Sequence, residues 1–481
     1  MVVFNIPYYR IKFKINDLNI CYMLKVKTPW DQKVIQEIEF QKTNDIEVIL
    51  ESAKKNSLKK GLDFNLIKRI EVLENFFKNV SSNIDGLAKL ASSEGGKPIK
   101  DSIIEIERGA EGVKTAIELI KNESGSVIPM NINKASENRI AFTQKEPIGV
   151  VLAISAFNHP FNLIIHQIIP AIAAGCPVII KPSEDTPLSC LKIIDMLYES
   201  GLPKDKCYFV MPESLDLASK LVSDNRVDFL SFIGSAKVGW MLRSKLSPGT
   251  RCALEHGGMA PSFISQSADL DTSSKLLIRG GFYHAGQVCV SVQRIFLHKK
   301  IFDDFLKIFT AELKKFKVGD PLNSNTDVGP LIRPAEVNRV ESWVDEAIGN
   351  GAELITGGRR LSETAYDKTI LVNPKKTDKI SEKEVFGPVV CIYAYDDLNE
   401  AIEQANMTDV SFQASIFSNE IKEVLNFYEK INASAVFHND HTAFRVDWMP
   451  FAGLKHSGYG VGGIKYTMED MQIDKLLVLK K

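Results

Sequence analysis

The sequence predicts an α/β protein built on a doubly wound parallel sheet, followed by a second α/β unit. Three observations carry this: an early helical periodicity, short apolar β-runs alternating with helices between 148 and 255, and a second alternating stretch from Ser262 to about Ala435. From about Asp45 to Glu123, Leu66, Ile67, Ile70, Leu73, Phe76, Phe77 and Val80 recur at steps of three and four, the stripe of a helix that buries one face. Gly95, Gly96, Lys97 and Pro98 break that stretch before another helix that begins near Lys100.

The next runs, Gly149 to Ile154, Pro177 to Lys181, Cys207 to Met211, Asp228 to Ile233 and Cys252 to Leu254, are nearly continuous in apolar residues. Strands buried on both faces read this way, and such sheets take ligands at their carboxyl ends. The second unit contains helices expected over Phe302 to Phe316 and Pro334 to Asn350. Its end, Ile473 to Leu479, reads as a β-tail that needs an outside strand to pair with, which suggests strand addition between subunits. Met23 opens a strand-and-turn stretch as if a domain began there, so residues 1–22 are read as an extension.

The chain has 481 residues, 44% apolar and 25% charged, which is the composition of a globular protein of two or three domains. Its 59 Lys and Arg against 60 Asp and Glu give a net charge of -1 and no broad positive field for nucleic acid. The longest apolar runs are interrupted and too short for a membrane span. Seven cysteines, at 21, 176, 190, 207, 252, 289 and 391, form no CxxC pair and no disulfide framework. That pattern, with no export signal in view, points to the reducing cytoplasm. No metal site is expected, since His438 and His441 lack a third ligand.

Gly458, Gly460 and Gly463 spell the dinucleotide fingerprint but stand too near the end for a βαβ unit, so they read as a flexible loop. A better phosphate site is the turn from Gly234 and Ser235 to Gly239, directly after an apolar strand and at the start of a helix. Lys181, Ser183 and Glu184 follow an earlier strand, where a carboxylate can accept from ribose hydroxyls. Cys289 is a candidate nucleophile, Glu255 a candidate base and Asn158 a candidate oxyanion donor. Taken singly, each is also what an ordinary turn or core position contains.

Together, in this order, these strings resemble the NAD(P)-dependent aldehyde dehydrogenase superfamily from about Met23 to the end. The resemblance extends to Glu384-Val385-Phe386-Gly387-Pro388, to Pro450-Phe451-Ala452-Gly453, and to the 34-residue step from Glu255 to Cys289. It implies a Rossmann-type cofactor domain (23–132 and 146–256), an α/β catalytic domain (257–465) and a small β oligomerisation element (133–145 and 466–481), assembled as a homodimer or homotetramer. It further implies that Cys289 attacks the aldehyde, that its own N–H and Asn158 hold the oxyanion, and that Glu255 activates water against the thioester. The Gly234 to Gly239 turn would hold the pyrophosphate, Lys181 and Glu184 the adenosine ribose, and Glu384 with Phe386 the nicotinamide ribose and ring. Glu184 favours NAD, with NADP left open, because a carboxylate repels a 2′-phosphate.

Several positions depart from the family pattern: His256 where Leu is usual, Met259 where Lys is common, Ala452 within Phe-Gly-Gly, and Ser291, expected to tighten the pocket. The substrate funnel would be lined by His159, Asn162, Leu163, His166, Tyr283, Val288, Val290 and the loop before Pro450. Arg445 in that loop can pair with an anionic tail, suggesting an acidic semialdehyde, or can pair internally with Asp447. The alternatives are a CoA-acylating or phosphorylated-aldehyde dehydrogenase, a cysteine hydrolase, and an inactive binding protein. Glu255 argues against the first of these, since the CoA-acylating relatives typically lack it.

Overall fold

The computed structural model describes residues 23–59 and 63–481; the extension read over 1–22 lies outside the described residues. The early periodicity resolves into four helices, Thr43–Ser57, Leu66–Ser81, Ile84–Gly95 and Ile99–Lys121. Asn65 caps the second by accepting from the Lys68 N–H, and Gly96, at φ 74°, ends the third in the left-handed conformation. Leu73 and Phe76 on the buried stripe are fully covered, each contributing roughly 2–3 kcal/mol of burial.

Six strands form the first sheet, in the order 458–459, 251–255, 229–233, 151–154, 178–181, 207–209, parallel except for the edge pair 458–459. Alternate residues serve opposite cores. Val151, Ala153, Val178 and Ile180 pack with the helical scaffold and the helices Asn162–Ala174 and Leu188–Glu199, whereas Leu152, Ile179, Leu230 and Leu254 pack with Thr43–Ser57 and Leu215–Ser223. From 151–154 the chain winds one way to 178–181 and later the other way to 229–233. The carboxyl ends of 151–154 and 229–233 therefore flank the crevice where such sheets bind ligands.

The second sheet has seven strands, ordered 353–356, 369–372, 389–395, 292–298, 260–264, 413–417, 435–438, all parallel but the first. The helices expected to reach 316 and 350 end at Leu313 and Gly349. The terminal strand Gln472–Lys480 does not wait for an outside partner: it pairs antiparallel over its whole length with Arg139–Pro147, and Val127–Ile128 completes a three-stranded sheet. Residues 464–470, by contrast, are helical and pack against the scaffold. Among the described residues no helix is long and apolar enough to cross a membrane.

One buried charge pair anchors the crevice. Glu105 and Lys97 are an ion pair with no exposure of either side chain. The same carboxylate accepts from the N–H groups of Phe161 and Asn162, both at 2.9 Å, and so holds the start of the helix Asn162–Ala174 just beyond Asn158.

Candidate active site

A cleft of about 1290 Å³ opens where the carboxyl ends of the first sheet's strands face the segments that lead into the strands of the second. Its wall includes Ser155 to His159 after the strand 151–154, Ser183 after 178–181, Gly234 and Ser235 after 229–233, and Glu255 at the end of 251–255. From the other unit come Tyr283, Val288 to Val290, Glu384, Phe386 and Arg445.

The loop that carries Cys289 is built by backbone constraint. After the helix Leu270–Phe282 the chain passes through His284, Ala285 and Gly286 at φ 48°, 54° and 71°. Gly286 is required here, because a Cβ would lie 2.1 Å from the Gly387 carbonyl oxygen. Buried Gln287 then fixes the loop by donating to the His284 and Pro330 carbonyls and accepting from the Ile332 N–H. Its carbonyl accepts from Asn158 Nδ2 at 2.9 Å, which orients that amide and leaves its second N–H for a ligand.

Cys289 sits in a small cluster with Tyr283, Val288, Val290, Phe412 and Phe451. Burial pushes its thiol up to about 12 against the attraction of Arg445, with Glu384 and Glu255 reinforcing the rise. Cys289 therefore rests as a thiol. The Glu255 carboxylate lies against the glycine-rich segment: a Cβ on Gly462 would fall 2.1 Å from it. The segment read as a flexible loop is thus an ordered wall, with Gly458 and Tyr459 paired to the Glu255 strand. Glu384 turns back toward Gly257, accepts from the Gly258 N–H at 3.1 Å, and is raised by burial to about 8.

Five predicted residues stand off the wall. Lys181 pairs with Glu184 at 3.5 Å, and neither lines the cleft. Gly239 makes room for His256, whose Nε2 would be 2.0 Å from a Cβ there. His166, expected in the funnel, is buried and bonds Asp447 at 2.8 Å instead, so it supports the wall from behind. Ser291 also turns from the pocket, donating to the Gly280 and Gly281 carbonyls.

Arg445 lies 3.6 Å above the Phe451 ring, and its Nε is buried with no hydrogen-bond partner. Asp447 is 3.8 Å from it but is claimed more closely by Arg108 at 2.7 Å and by His166. Although burial opposes its charge, His166, Arg108 and Arg445 hold the Asp447 carboxyl well below the usual range. Two arginines thus share one carboxylate at the cleft wall, and Glu255 adds its attraction on Arg445. Arg108 was not found from the sequence, because it stands on a scaffold helix 181 residues before Cys289 with no motif around it.

A dinucleotide fits the other half. Gly234 keeps the turn tight, since a Cβ would meet the Phe232 ring at 2.7 Å, and Ser235 precedes the helix Ala236–Arg243 without making a capping bond with its side chain. Among the described residues no group of three His, Cys, Asp or Glu gathers as a metal site.

The profile of the aldehyde dehydrogenase family matches residues 21–476. The chain belongs to this family. It is an NAD(P)-dependent oxidoreductase that acts on aldehydes. A 3-sulfolactaldehyde dehydrogenase of Priestia aryabhattai is 36% identical over 456 residues, 95% of this chain and 94% of that one. Aldehyde dehydrogenase 21 of Physcomitrella patens, solved with its reaction product succinate, superposes with a TM-score of 0.92 at 32% identity, covering 96% of this chain and 95% of that one. A glyceraldehyde-3-phosphate dehydrogenase of Methanocaldococcus jannaschii, solved with NADP, gives 0.90 at 34% identity, covering 95% and 99%.

In the free enzyme, alkylation of Cys289 by iodoacetamide is expected to rise about tenfold per pH unit from pH 7 to 9, because the thiolate fraction grows that fast well below the pKa. Peptide mapping against Cys289→Ala isolates the site, and a plateau below pH 8 would contradict the raised thiol.

Proposed function

We propose that this aldehyde dehydrogenase oxidises a short aldehyde with an acidic tail to the free carboxylic acid, using NAD in preference to NADP. The observation that carries the substrate class is Arg445, a largely covered guanidinium on the cleft wall that shares Asp447 with Arg108. An incoming anion would give its cleft-facing side a partner. The three relatives described above support this, since sulfolactaldehyde, succinate and glyceraldehyde 3-phosphate all carry an anionic group.

In this reading Cys289 attacks the carbonyl as thiolate, and the oxyanion accepts from the Cys289 N–H and the second N–H of Asn158. Ser183, Gly234, Ser235, Glu384 and Phe386, all on the wall, would hold the dinucleotide, which supplies the two-electron acceptor. Glu255 then takes a proton from the water that attacks the Cys289 thioester, releasing acid and thiolate. Its carboxylate favours hydrolysis over transfer to CoA. Glu184 does not line the cleft, but it stands half-exposed beside Ser183, which does, so that its charge, shared with Lys181, disfavours a 2′-phosphate there.

We further propose the division into a cofactor unit (23–132 and 146–256), a catalytic unit (257–465) and a pairing element (133–145 and 466–481), joined into a homodimer or homotetramer through the three-stranded sheet. Leu476, Leu477, Val478 and Leu479 are 44–51% exposed on its edge strand, an apolar edge suited to another subunit.

Glu255→Gln is expected to release a burst of about one NADH per subunit and then stall, because only hydrolysis is impaired; unchanged steady-state turnover would remove its role as base. On a panel of carboxylated, sulfonated, phosphorylated and neutral aldehydes, run with each dinucleotide, Arg445→Leu should raise KM at least about tenfold for acidic substrates and little for neutral ones. An equal effect on both would reassign Arg445 to structure. Leu477→Lys should shift the sedimenting species to smaller mass, and a monomeric wild type would refute the assembly.

A further inference from the structure

His159 and Tyr283 form a polar pair on the cleft wall that the chemistry above does not use. His159 directly follows Asn158, and Tyr283 begins the turn that leads to Cys289. His159 Nε2 and the Tyr283 hydroxyl lie 3.1 Å apart, and the phenol packs in the same cluster as Cys289. Arg279, ion-paired with Asp101 at 2.5 Å, lies 4.7 Å from the centre of the Tyr283 ring and fixes its plane.

Both groups are neutral under ordinary conditions. Burial, with Lys97, His284, Arg108 and Arg445 adding repulsion, holds the imidazole well below its usual value, and burial raises the phenol. With the imidazole proton on Nε2, the pair uses one hydrogen bond internally, Nε2–H to the phenol oxygen, and the Tyr283 hydroxyl keeps both a donor and an acceptor for a ligand. An anion would prefer the arginines, and a bare hydrocarbon would leave the pair without a partner in a dry site. A hydroxyl, which gives one hydrogen bond and accepts another, satisfies it. Because Asn158 and Cys289 would hold the two atoms of the carbonyl, the adjoining His159 and Tyr283 are placed to meet a group carried beside it.

We propose that His159 and Tyr283 are a specificity-determining pair that reads a hydroxyl on the carbon next to the aldehyde, so that the preferred substrates are 2-hydroxyaldehydes. The proposal rests on the aldehyde-oxidising reading above but not on the acidic tail. The test compares kcat/KM for two matched pairs on the full-length enzyme: 2-hydroxypropanal against propanal, and 2-hydroxy-3-oxopropanoate against 3-oxopropanoate. The wild type should favour the hydroxylated member at least about tenfold, the worth of a buried hydrogen-bond partner made or lost. In Tyr283→Phe, which keeps the ring and its packing, and in His159→Leu, that ratio should fall toward one. Because both members of a pair are measured on the same variant, partial misfolding cancels from the ratio. A wild type without the preference in both pairs, or variants that lose both members equally, would overturn the hydroxyl subsite and leave the Arg445 panel to judge the tail. No turnover of any of the four aldehydes would overturn both.

Discussion

The carboxylate of Glu105 ties the helical scaffold to the reacting end of the molecule. It lies beyond the reach of water, balanced by Lys97, and closes two N–H groups at the start of the helix that follows Asn158. Breaking such a pair from one side leaves an uncompensated charge, a loss of about 3–5 kcal/mol. The position of Asn158, and through its bond to Gln287 the course of the Cys289 loop, depends on that anchor. A chemical requirement at the surface of the cleft is met by an electrostatic requirement in its foundation.

The same logic recurs at the opposite wall. Asp447 is shared by Arg108, His166 and Arg445, residues from a scaffold helix, a buried helix and a loop. A single carboxylate sets the position of two guanidinium groups at the cleft. The two walls therefore differ in kind: charged at Arg445, neutral and hydrogen-bonding at His159 and Tyr283. Between them lies the Cys289 thiol, which burial keeps protonated.

Much of this was legible in the sequence, where short range and chain order sufficed. The apolar runs near 151, 178, 207, 229 and 251 announced the parallel sheet because burial on both faces leaves no polar positions to dilute them. Cys289, Glu255 and Asn158 could be read because each closes an apolar strand or a glycine turn. Contacts between distant segments were less legible. Arg108 has no local signature, His166 faces away from the funnel because Asp447 captures it, and the tail finds its partner strand more than 300 residues earlier in its own chain. Gly462 escaped for a related reason: its role is the volume it leaves for a carboxylate 207 residues away.

The last stretch of the chain completes what the middle begins. Gly458 and Tyr459 extend the first sheet, Gly462 backs Glu255, the helix Ile464–Asp470 packs on the scaffold, and Gln472–Lys480 closes the small sheet. A nascent chain that has already made Asn158, Glu255 and Cys289 still lacks one side of its cleft. The order of synthesis thus sets the order of assembly, and the proposed base meets its supporting wall only once the chain has been made past Gly462.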